Sequence, residues 1–131
     1  MKTFTKEERL CSKKSLDLLF RKGSSFLCYP FRVTYLLVEQ LHPYPAQVVI
    51  SVAKKRYRHA VDRNLIKRRI RESYRLQKQK LLYLPLKQQG KLLLLSIQYV
   101  GKQIYLYSFF EKKMKQMLMK LLEQTGSNEN H

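Results

Sequence analysis

Ala53-Lys54-Lys55-Arg56-Tyr57-Arg58-His59-Ala60-Val61-Asp62-Arg63-Asn64-Leu65-Ile66-Lys67-Arg68-Arg69-Ile70-Arg71-Glu72-Ser73-Tyr74-Arg75 is the stretch around which the chain is organised. Between positions 54 and 80 stand twelve Lys or Arg residues and two acids, Asp62 and Glu72. Apolar residues recur through this charge at helical spacing. At about 100° per residue, Ile66, Ile70 and Tyr74 share one side of a helix. Asn64, Lys67, Arg68, Arg71, Arg75 and Lys78 fall within about 100° of arc on the opposite side. The pattern predicts a helix over about 60–80 that buries one face and presents cations on the other. The cations lack the interleaved Glu that i,i+4 pairing would use, which argues against a merely solvated face.

Working outward, Ala46-Gln47-Val48-Val49-Ile50-Ser51-Val52 precedes the basic loop and reads as a short strand inside a sheet. Beyond the helix, Pro85 and Gly90 mark a connection. The apolar run from Leu92 to Val100, bounded by Gly90 and Gly101, then reads as a strand buried on both faces. Strand, helix and strand at this spacing make a βαβ unit. Phe26 to Val38 is rich in aromatic and β-branched residues and holds one strand, or two if Pro30 breaks it. Phe31, Val33, Tyr35 and Leu37 would point one way, and Arg32, Thr34, Leu36 and Val38 the other.

Two further helices frame this centre. Ser12 is an N-cap for a helix over about 13–22, whose stripe is Leu16, Leu19 and Phe20 and whose C-cap is Gly23. Phe110, Met114, Met117, Leu118, Leu121 and Leu122 give the last helix, about 106–123, its core stripe. Residues 1–124 are expected to form one domain, with 125–131 a polar, frayed tail. The order α-β-β-α-β-α predicts an α+β sandwich of one sheet with helices packed on it.

Composition narrows the partner. The chain of 131 residues has 27 basic residues against 9 acidic ones, a formal charge of +18. With 44% apolar and 11% aromatic residues it should nonetheless fold. Such a charge repels itself in the compact state and makes sense opposite a polyanion, nucleic acid before an anionic membrane. The N-terminus is polar and does not resemble a signal peptide, and Leu92–Ile97 is too short to span a bilayer. Cys11 and Cys28 lack metal or redox spacing and read as free thiols of a cytoplasmic protein.

A protein active site is not expected. The nine acids are scattered, whereas metal-assisted phosphodiester cleavage needs clustered carboxylates. His42 sits beside a proline, His131 is the last residue, and His59 next to Arg58 suits a phosphate contact better than proton transfer. Arg71 and Arg75 can fork onto phosphates, and Lys67 can act as a point charge. Phe20 and Tyr35 could stack on splayed bases or pack in the core; spacing alone favours the core.

The words Ile50-Ser51-Val52-Ala53-Lys54-Lys55, Ala60-Val61 and Arg63-Asn64-Leu65-Ile66-Lys67-Arg68-Arg69-Ile70-Arg71-Glu72 closely resemble the protein subunit of bacterial ribonuclease P. The resemblance extends to Arg9-Leu10 and Phe20-Arg21-Lys22-Gly23 and covers about 4–122. It departs at Leu65, where the family usually has a second Arg of its motif. Arg58-His59 replaces a common Gly-Asn, and Leu16 stands where Phe is frequent. The resemblance implies a two-layer α-β-β-β-α-β-α sandwich, with a mixed sheet and a left-handed βαβ crossover like that of a ribosomal-protein domain. It implies an accessory subunit of an endoribonuclease, in which catalysis and Mg²⁺ belong to a large RNA and the protein itself holds no cofactor. The implied partners are that catalytic RNA and precursor tRNA, with neither a membrane nor a protein oligomer. The 5′ leader would lie in a cleft between the first helix and the sheet, lined by Phe20 and Tyr35. Asn64, Lys67, Arg68 and Arg71 would contact leader or catalytic-RNA phosphates, with Lys54, Lys55 and Arg63 helping to seat the RNA; Arg75 joins the RNA-binding set from its place on the cationic arc. A structural RNA-binding protein of ribosomal type, without a role in cleavage, is the alternative; a duplex-DNA binder is more distant.

Overall fold

The structure, a computed structural model, describes residues 5–87 and 89–126. After a single 3-10 turn at Lys6–Glu8 come α1 (Lys13–Lys22), β1 (Ser24–Cys28), β2 (Phe31–Val38), β3 (Ala46–Val52) and α2 (Ala60–Lys78). One π-helical turn, Gln79–Tyr83, continues into α3 (Leu84–Lys87), followed by β4 (Leu92–Tyr99) and α4 (Tyr107–Gly126). The Phe26–Val38 stretch therefore holds two strands, β1 and β2, joined by a tight turn at the cis Tyr29–Pro30 peptide. The turn follows from Pro30, which has no N–H to donate to a ladder.

The strands lie in the order β1-β2-β4-β3, with β1, β2 and β4 antiparallel and β3 parallel to β4. The βαβ unit read from the sequence is β3-α2-β4. Its second strand sits between β2 and β3, and Leu92 to Ile97 are all buried, which is why the run shows no alternation. Alternation still decides what each side chain meets. Leu93, Leu95, Ile97 and Tyr99 face the main core, where Ile66, Ile70 and Tyr74 of α2 meet Phe110, Met114, Met117, Leu118 and Leu121 of α4. Leu92 and Leu94 point the other way, into a smaller cluster with Leu16 and Leu19 of α1 and Leu36, Val38 and Val49. Sheet and α2/α4 make the two layers, and the short α1 crosses the opposite face.

Ser12 caps α1, its Oγ accepting from the Ser15 amide at 3.3 Å. Gly23 ends the helix, but with an extended backbone (φ −73°) in place of the left-handed C-cap expected of glycine. Glycine is needed for room: a Cβ there would lie 2.4 Å from the Leu19 carbonyl oxygen and 2.9 Å from that of Tyr35. α4 runs three residues beyond the predicted end. Thr125, expected in a polar tail, is buried and donates its hydroxyl to the Leu121 carbonyl at 2.9 Å. Residues 127–131 lie outside the described residues.

Candidate nucleic-acid interface

A groove of about 720 Å³ runs beside β3, the edge strand of the sheet. Its floor is Val48, Val49 and Ile50; one wall is Arg9, Leu10 and Cys11, and the other is Lys67, Arg68, Arg71, Glu72 and Arg75 of α2. The sequence-predicted cationic face is thus assembled into a concave site. Among the described residues, no carboxylate or hydrogen-bond acceptor engages Lys67, Arg68 or Arg71. Arg75 is in the same wall, but its guanidinium binds Glu72 Oε1 at 2.5 Å. Asn64, one turn earlier, and Lys54 and Lys55, in the turn after β3, are exposed on the same end of α2.

Arg63 has a different task. Its guanidinium donates to the Tyr57 carbonyl at 2.8 Å and the Arg58 carbonyl at 2.9 Å, clamping the basic loop onto the first turn of α2. It shapes the site that Lys54 and Lys55 flank, and its Nη1 donors are already committed.

Lys78, placed by helical arc on the cationic face, is buried instead (4% exposed). Its ammonium, the Tyr83 hydroxyl and the Thr5 amide all donate to the carboxylate of Glu8, which is 1% exposed. Burial raises the pKa of this carboxyl; the hydrogen bonds from Lys78, Thr5 and Tyr83 outweigh it and hold Glu8 below the usual range. The π-helical turn directly after Lys78 brings Tyr83 to the same carboxylate. This pin fixes the N-terminal segment, so that the Leu10 amide reaches the Val48 carbonyl at 2.9 Å and the Arg9–Cys11 wall stands opposite α2. Sequence reasoning counted Glu8 as one more scattered acid. No local signal marks its partner, which lies 70 residues away.

The expected aromatic cleft between α1 and the sheet is not formed from Phe20 and Tyr35. Tyr35 belongs to the β2 face that meets α4, where its hydroxyl donates to Gln124 at 2.7 Å and its ring leans on Phe26. On a strand the next residue points oppositely, so Thr34 holds the α1-facing position that Tyr35 was assigned. Phe20 is 61% exposed on α1 and does not line the groove. The groove's counter-wall is the N-terminal segment.

Neither described histidine, His42 nor His59, belongs to a catalytic constellation among the described residues. The His42 ring is taken up by the Tyr44 backbone at 3.1 Å and the Gln47 amide at 3.1 Å, which fixes the β2–β3 loop. His59 is exposed at the N-cap of α2, and His131 lies outside the described residues. Among the described residues no three His, Cys, Asp or Glu come together as a metal site, and no helix is long and apolar enough to cross a membrane.

A family model described as Ribonuclease P matches residues 4–122. The chain belongs to the ribonuclease P protein family. It is similar to the ribonuclease P protein component of Porphyromonas gingivalis, 43% identical over 74 residues, which cover 56% of this chain and 54% of that one. The component of Petrotoga mobilis is 40% identical over 76 residues, 58% of this chain and 61% of its own. The chain spans about half the length of the curated relatives it matches. The ribonuclease P proteins of Thermotoga maritima and Staphylococcus aureus share the fold. The first has a TM-score of 0.67 at 21% identity, covering 86% of this chain and 96% of that one. The second has a TM-score of 0.66 at 21% identity, covering 90% and 97%.

Proposed function

We propose that this chain is the protein partner of a catalytic RNA in an endoribonuclease that matures the 5′ end of tRNA. The observation that carries the reading is the groove whose Lys67, Arg68 and Arg71 have no partner among the described residues. A single-stranded 5′ leader lies along this groove, its phosphates against those cations and its sugars and bases over Val48–Ile50. Asn64, Lys54 and Lys55 continue the basic surface toward the catalytic RNA. Bond cleavage, with its Mg²⁺, belongs to that RNA. The protein adds counter-charge that two polyanions need in order to approach, together with direct contact to the segment that distinguishes precursor from product. Phe20, exposed on the α1 face, is free to stack on a base outside the groove.

The test is affinity for precursor and mature tRNA, measured with the protein bound to the RNA. Lys67→Ala with Arg68→Ala should weaken precursor binding much more than mature-tRNA binding; equal losses would remove the leader contact. Cleavage by the cognate RNA at low Mg²⁺ with and without the protein separates this reading from a purely structural RNA-binding role.

A further inference from the structure

A second set of aromatics stands at the end of the sheet where the β1–β2 turn, the basic loop and the segment after β4 converge. Tyr29 is 37% exposed, and its ring meets Tyr105 edge to face, centroids 6.1 Å apart at 84°. Tyr105 in turn stacks on Phe109 at 4.2 Å, and the Lys113 ammonium lies 5.5 Å above the Phe109 ring. Tyr105 packs against the main core from its edge, but Tyr29 and Phe109 belong to neither core cluster. Phe31, Tyr99 and Phe110 make the buried aromatic cluster of this region, whereas the two phenols bind each other, oxygen to oxygen at 2.7 Å, at the surface. The row is also held rigidly. The Lys102 amide donates to the Tyr29 oxygen at 3.0 Å, Tyr57 to the Gly101 carbonyl at 2.8 Å, and Arg69 to the Tyr105 carbonyl. Its charged neighbours are cations: the hydrogen bond with Tyr105 does most to lower the pKa of the Tyr29 phenol, and Lys102 and Arg56 lower it further.

A pre-organised, half-exposed ring beside lysine and arginine is the chemistry that receives an unpaired base. A duplex cannot use it, because its bases are already stacked. The position argues for the catalytic RNA over the leader. Tyr29 sits at the β1–β2 side of the sheet, whereas the groove assigned to the leader follows β3, the strand at the opposite edge. We propose that Tyr29, backed by Tyr105, is a stacking platform for one unpaired nucleotide of the catalytic RNA, with Lys102 and Arg56 meeting the flanking phosphates. The platform rests on the RNA-partner reading above, and its assignment to the catalytic RNA rests also on the leader lying in the groove.

The chain contains no Trp, so Tyr29→Trp places a single indole at the platform. Short oligoadenylate should quench its emission, and an abasic chain of equal length and charge should not. The quenching should persist in a Lys67→Ala, Arg68→Ala background, which separates this site from the groove. In binding to the cognate catalytic RNA, Tyr29→Ala should lose roughly tenfold in affinity with the salt slope unchanged, while Tyr29→Phe stays within about twofold; affinity for a free leader oligonucleotide should not move. Equal quenching by the abasic chain, or equal losses for Tyr29→Ala and Tyr29→Phe, would overturn the platform. A loss confined to the leader oligonucleotide would overturn its assignment to the catalytic RNA.

Discussion

Two stretches of α2 carry the same side chains to opposite ends. At Lys67, Arg68 and Arg71 the cations stand over a groove without acceptors among the described residues. Two turns on, Lys78 lies in the interior against Glu8 and Tyr83. Both sets occupy one 100° arc of the helix. What separates them is the N-terminal segment, which brings a carboxylate to one end and only Arg9, Leu10 and Cys11 to the other. A basic helical face is therefore a binding surface only where the rest of the chain withholds its acids. The buried pair also builds the open site, because it holds the segment that forms the second wall.

The largest effect should come from breaking the buried end. Glu8→Ala leaves the Lys78 ammonium uncompensated in the interior, which should cost about 3–5 kcal/mol of unfolding free energy by chemical denaturation. Near-unchanged stability would mean that water replaces the carboxylate and that the two ends of α2 differ little. The same residue sets an acid limb. Because its pKa is lowered in the folded chain, its contribution is complete above the ordinary Glu value of about 4.3 and fades as pH falls below that, through the lowered native value. Glu8→Gln should flatten this limb in a pH series of melting temperatures.

At the open end the expectation reverses. Arg71→Ala should change stability by no more than about 0.5 kcal/mol, yet weaken RNA binding across sequences. Tyr35→Phe sharpens the contrast between core and cleft. Loss of its bond to Gln124 should cost about 1 kcal/mol of stability and leave precursor affinity intact; a selective fall in precursor binding would return Tyr35 to the RNA surface. The smallest change belongs to Glu72→Gln, which releases Arg75 from a half-exposed pair worth at most about 1 kcal/mol and should slightly tighten RNA binding.

The comparison also marks what could be read before the structure. The bounds of α1 followed from Ser12 and Gly23, the buried strand from its unbroken leucines, and the outer face of α2 from arc alone, since these signals are local. Lys78 was misplaced because arc says nothing about a partner 70 residues away. Tyr35 was placed in the cleft by the family resemblance, whereas its spacing favoured the core packing found against α4. The Arg9–Cys11 wall escaped notice because its pairing with the sheet is a single parallel bridge to Val48, too short for any strand pattern, and the Glu8 pin that holds it is distant in sequence.

The most direct test of the central claim is the salt dependence of affinity for the cognate RNAs, comparing the natural chain with Lys67→Ala, Arg68→Ala and Arg71→Ala combined. If these three cations neutralise phosphates, the slope of log K against log salt should fall by about 3 units, about one per contact, with the melting temperature unchanged. An unchanged slope in a variant that remains folded would contradict the account.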